Sequence, residues 1–146
     1  MSKYVDEINE ENFNKFLSAL RGGEYPQGTG SLEEGGKFCC LGVACHLAAS
    51  EGVLERRERN EGAVYYDHNS GTLPMKVADW LGIPDRHRVD GVDSFDVAFF
   101  KEGWAPFSLA EQGAATNTAI GWNDGKPKTF VEIADAFEKE FTKEEN

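Results

Sequence analysis

The sequence predicts an α+β fold: one compact, mainly helical domain with a small antiparallel strand element. Three observations carry that prediction. The chain has 146 residues, a single-domain length. Two stripes of apolar residues at helical spacing lie near its two ends, and a third segment is apolar almost all round. Only one stretch, Ser94–Phe100, alternates clearly as a strand does. Hydrophobic residues make up 40% of the chain and aromatics 12%, which rules out a disordered polymer. No apolar run approaches the roughly 18 residues needed to span a bilayer, and residues 1–7 lack the apolar stretch of a secretion signal. The expectation is therefore a cytoplasmic protein that does not enter a membrane.

Each element has its own justification. Phe13, Phe16, Leu17 and Leu20 recur at i, i+3, i+4 and i+7, which predicts a helix over about 10–21. Gly22 and Gly23 stop it, because glycine accepts the left-handed conformation of a helix end. A glycine-punctuated loop follows to Gly30. The segment from Phe38 to Ser50 predicts a central buried helix, with Gly42, Ala44 and Ala48 allowing neighbours to come close. Residues 53–72 read as polar and irregular, with an extended piece at Ala63–Tyr66 and a turn at Asn69–Gly71. Pro74 opens a short helix with Val77, Trp80 and Leu81 inward and Gly82 closing it. Ser108–Glu111 reads as a capping box, and Trp122–Gly125 as a turn. The last helix has a capping box at Thr129 and Glu132, with Phe130, Ile133, Ala134, Phe137 and Phe141 on one face. Residues 1–146 are expected to form one domain, with 1–8 and 143–146 less ordered.

Charge narrows the partners. Fifteen Lys and Arg stand against 26 Asp and Glu, a net charge of −11. Such a surface repels phosphate backbones, so direct nucleic-acid binding is not expected. Acidity fits plain solubility, a basic protein partner or nucleic-acid mimicry; mimicry is disfavoured because the acids are interrupted, as where Arg56, Arg57 and Arg59 sit among Glu51, Glu55, Glu58 and Glu61. Cys39, Cys40 and Cys45 crowd into seven residues. An adjacent pair does not readily form a normal disulfide, and the spacing is not that of a zinc site. No metal and no cofactor are expected. A catalytic thiol, as in a cysteine-dependent hydrolase, is a distant third reading, because nothing positions His46, His68 or His87 as the base and the helix is apolar almost all round.

Several motifs occur together. Phe16-Leu17-x-Ala19-Leu20-Arg21-x-Gly23-x-Tyr25-x-Gln27-Gly28-x-Gly30 precedes Phe38-Cys39-Cys40-Leu41-Gly42-Val43-x-Cys45. Then come Leu73-Pro74-x-x-Val77-x-x-Trp80-Leu81-Gly82, Asn123-Asp124-Gly125 and Thr129-Phe130-x-x-Ile133-Ala134-Asp135. This order resembles a family of small uncharacterised proteins encoded by bacteriophages and prophages. The Trp122-Asn123-Asp124 piece is also similar to actinobacterial domains of unknown function. The resemblance covers most of the chain and departs from the pattern at about 84–118. It implies a phage or prophage origin and an accessory role, and it supplies no reaction.

The candidate ligand-binding residues follow from the motifs. In the 21–30 loop, Gly23, Gly28 and Gly30 would let backbone amides approach a ligand, while Arg21, Tyr25 and Gln27 offer a charge, a stacking face and an amide. Trp122, Asn123 and Asp124 offer a second set, and no residue is assigned a catalytic role. Both segments also have a plain reading, as an interhelical connection and a turn. The resulting expectation is a binding protein for a small anionic or nucleotide-like ligand, sequestering a signal of host defence. The alternative is an acidic inhibitor of a basic host protein. The oligomeric state is left open.

Overall fold

The computed structural model describes residues 2–59, 62–89, 93–102, 117–125 and 128–143. Its chain order is α1 (Glu10–Arg21), β1 (Glu33–Glu34), β2 (Lys37–Phe38), α2 (Cys40–Ser50), β3 (Arg56–Glu58), β4 (Val64–Tyr66), β5 (Leu73–Pro74), α3 (Met75–Leu81), β6 (Arg88–Val89), β7 (Ser94–Val97) and α4 (Phe130–Phe141). Helices and small antiparallel sheets make this an α+β fold.

The aromatic stripes of α1 and α4 build the core. Phe16 and Phe137 meet edge-on at 5.0 Å, and Phe13 packs against both Phe137 and Phe141. Such pairs add about 0.5–1.5 kcal/mol each beyond the area they bury. The Asn9 side chain caps α1 by accepting from Asn12 N, and Thr129 with Glu132 closes both halves of a capping box on α4. The N-terminal segment, expected to be less ordered, contributes Tyr4 and Ile8 to the core, with Tyr4 edge-on to Phe13 at 4.9 Å. Helix α2 is buried from Cys40 to Cys45 and again at Ala48, while Leu47 is half-buried on its outer side. It begins at Cys40 rather than Phe38. Residues 37 and 38 belong to a strand, and the Cys39 thiol accepts from Gly42 N as the helix cap. Trp80, expected to face inward with Val77 and Leu81, is half-buried.

The expected single strand element is three small sheets among the described residues: β1–β2, β3–β4, and the order β5–β7–β6. The first is closed by Gly35 and Gly36, with φ of 60° and 82°, the left-handed pair that a two-residue hairpin turn requires. Leu32, just before it, lies on α2 where a Cβ at Gly42 would stand 1.7 Å from the Leu32 carbonyl oxygen. Only glycine permits that crossing. Residues 56–58, read as irregular, pair with 64–66, so Arg57 lies opposite Tyr65. The strand read over 94–100 ends at Val97 and gives way to a 3₁₀ turn at Phe100–Glu102. The capping box read at Ser108–Glu111 lies outside the described residues. Among the described residues, no helix is long and apolar enough to cross a membrane.

Candidate functional site

The two motifs singled out in the sequence meet each other. Asn123, 1% exposed in a π-helical turn at Gly121–Gly125, is the hub. Its Oδ1 accepts from Gln27 Nε2 at 2.9 Å and from Cys40 N at 3.2 Å. Its Nδ2 donates to the Gly28 carbonyl at 2.8 Å and to Asp124 Oδ1 at 2.7 Å. Gln27 Nε2 also donates to the Lys128 carbonyl, and Gly30 N donates to Asp124 Oδ2 at 3.2 Å. Gly28 N donates to the Phe38 carbonyl at 2.7 Å. The amides proposed for an anion nest at Gly28 and Gly30 are thus bonded within the protein. One buried amide side chain ties the 27–30 loop, the first residue of α2 and the 121–125 turn into a clamp.

The other expected ligand residues are also occupied. Arg21 Nη2 bonds Asp135 Oδ1 and Glu138 Oε1, both at 2.7 Å, and so joins the end of α1 to α4. Tyr25 stands edge-on to Phe38 and His46, at 5.1 and 5.5 Å. Burial raises its hydroxyl pKa above the ordinary value, with a further contribution from Glu24. Trp122 packs against Phe99 and donates its Nε1–H to Asn117 Oδ1 at 2.8 Å. Lys128 lies over its ring.

The cysteines are buried. Burial pushes the Cys39 thiol up to about 12, and raises Cys40 and Cys45 well above the ordinary range. Among the described residues, no group of three His, Cys, Asp or Glu side chains is placed to hold a metal ion.

A second region, missed in the sequence, presents its polar groups to open space. A groove of about 650 Å³ runs between the β3–β4 hairpin and the start of α3, lined by Glu55, Arg57, Arg59, Asp67, His68 and Lys76 together with residues 52–54. Strand alternation explains the arrangement. Arg56 points to the protein side, where it forks onto buried Glu33, which also accepts from Tyr66 Oη. Burial alone would raise the Glu33 carboxyl, but the bonds from Arg56 and Tyr66 hold it below the usual carboxylate range. Arg57 and Arg59 lie on the other face. Arg57 pairs with Glu55, and both side chains are about 60% exposed (64% and 60%). Arg59 lies 4.8 Å over the Tyr65 ring and, among the described residues, meets no carboxylate. Lys76 Nζ is 3.3 Å from Asp67 Oδ2, and Asp67 Oδ1 accepts from Glu55 N at 3.0 Å. Asp67 holds this geometry at a φ of 55°, a left-handed conformation that Asp tolerates better than most residues. The sequence signal was the spacing of two arginines two residues apart. Three-residue β3 is too short to show the alternation that would attach the two arginines to a strand face.

No curated protein and no solved structure matches the chain. One family model does, over residues 8–141, which takes in the clamp, the groove and the α-helices of the described residues. The chain belongs to the family described as Domain of unknown function (DUF8296).

Proposed function

We propose that this chain is a phage-type accessory protein that binds a small anionic ligand in the groove between the β3–β4 hairpin and α3, and acts by holding that ligand. The observation that carries the reading is that Arg57, Arg59 and Lys76 gather around one open volume, beside Glu55 and Asp67, on a chain of net charge −11. An anion approaching such a protein is repelled almost everywhere, so a local cluster of cations decides where it settles. The volume, about 650 Å³, lies in the range of small-ligand sites. The phage origin, the placement in the bacterial cytoplasm and the sequestering of a host-defence signal rest on the resemblance of the 16–45 and 122–135 motifs to phage proteins.

Thermal unfolding in a panel of anions tests the reading, with sulfate, inorganic phosphate, inorganic pyrophosphate and adenine nucleotides as probes. Ligands that bind only the folded state raise the midpoint in proportion to the logarithm of their concentration. The reading expects at least one of these to stabilise the wild-type chain, and expects Arg59→Ala to lose that response. No response in the wild type, or an equal response in the variant, contradicts it.

A further inference from the structure

The groove's cations are spaced in a way that selects among anions, and this inference rests on the reading just given. Arg57 lies on β3 and Arg59 is the residue after its end, where Arg59 N still donates to the Ala63 carbonyl, so the extended geometry continues through it. Alternate strand residues share a face and stand about 7 Å apart. Each guanidinium is a rigid planar fork suited to two oxygens of one anionic centre. One phosphoryl group facing one fork squarely leaves the other fork without a partner. Two linked anionic centres give each fork its own.

The surroundings fit that division of labour. Glu55 occupies the Arg57 fork in the ligand-free protein, but as an exposed pair it is weak and open to exchange. Arg59 is held over Tyr65, which fixes the fork while leaving its N–H groups free of a carboxylate among the described residues. Lys76 is steadied by Asp67, whose second oxygen is bound to Glu55 N. An ammonium with one acceptor keeps two further donors for a ligand oxygen. We infer that the groove takes a diphosphate, with one phosphoryl group on Arg57 in place of Glu55 and the other on Arg59. A free inorganic diphosphate and a nucleotide diphosphate present the same two linked centres, and the titration below distinguishes them.

Calorimetric titration of the full chain with inorganic phosphate, inorganic pyrophosphate and ADP tests this. The expected result is pyrophosphate or ADP binding at least about ten-fold more tightly than phosphate, the effect of one added charge-assisted contact. ADP binding more tightly than pyrophosphate assigns the site to a nucleotide diphosphate; the reverse assigns it to the free anion. Arg57→Ala and Arg59→Ala should each bring the pyrophosphate-to-phosphate ratio close to one, and Arg57→Lys, which keeps the charge without the fork, should recover only part of it. Unfolding curves of the variants check that these exposed substitutions leave the fold intact. Equal wild-type affinity for phosphate and pyrophosphate, both weakened by Arg59→Ala, overturns the diphosphate assignment and leaves the anion site standing. Absence of binding by all three probes, or binding indifferent to Arg59→Ala, overturns both.

Discussion

The 27–30 loop with its 121–125 turn and the 52–76 groove are both rich in polar groups, yet they use them in opposite ways. In the clamp, Asn123 makes four hydrogen bonds inside the protein, and the Gly28 and Gly30 amides donate to Phe38 and Asp124. In the groove, Arg57 and Arg59 project from an exposed strand face, and among the described residues an exposed carboxylate and an aromatic ring hold them. Residue types favourable for ligand binding occur in both. What separates a structural site from a binding site is whether those groups are already satisfied.

That contrast is broken or sharpened first by Asn123→Ala. The substitution leaves the Cys40 N–H and the Gly28 carbonyl without the Asn123 partner, while Gln27 keeps its bond to the Lys128 carbonyl. Leaving the buried Cys40 N–H unmet costs about 1–3 kcal/mol, and the half-buried Gly28 carbonyl less. A loss of about 2 kcal/mol is therefore expected in chemical denaturation, with the groove's anion response retained in the folded fraction. A loss under about 0.5 kcal/mol would mean the clamp is not structural.

Glu33 comes next, because it lies behind the groove on the protein side of β3. Its carboxyl is held below the ordinary value of 4.5 in the folded state, so it contributes stability above that pH and loses it as the pH falls through the folded-state value. Wild-type stability should therefore drop on acidification below about pH 4.5. Glu33→Gln should be less stable at neutral pH and show a shallower acid loss. An identical acid profile in the variant would show that the Arg56–Glu33–Tyr66 network does not titrate with folding.

The smallest effect is expected from Arg21→Ala. Its two partners, Asp135 and Glu138, lie on α4 at a partly exposed surface, where such pairs contribute about 0.2–1 kcal/mol each. Denaturation should show a loss of that size, and anion binding should be unchanged. A loss of binding with little change in folding would return the ligand site to the α1 end.

The helical part of the fold was legible for a definite reason. The stripes of α1 and α4 and the Thr129–Glu132 box are local patterns, complete within a dozen residues. The extended piece read at Ala63–Tyr66 is β4, but β1, β2 and β3 were not legible, because strands of two or three residues show no useful alternation. Gly35-Gly36 was the available turn signal for the β1–β2 hairpin. In the candidate site, the sequence put Gln27, Gly28, Gly30, Asn123 and Asp124 in the right company, and the structure joins them. It could not tell that they would bond each other, since that depends on a separation of 96 residues between Gln27 and Asn123. Arg21 was placed with them by proximity in sequence, but its position at the end of α1 turns it toward α4.

The central proposal is that an anion settles at the groove rather than at the clamp. A backbone amide NMR titration with inorganic pyrophosphate tests it directly. The account predicts saturable shifts concentrated at residues 53–59 and 65–76, with the amides of 27–30 and 121–125 unmoved. Shifts centred on 27–30 and 121–125, with the groove silent, would contradict it.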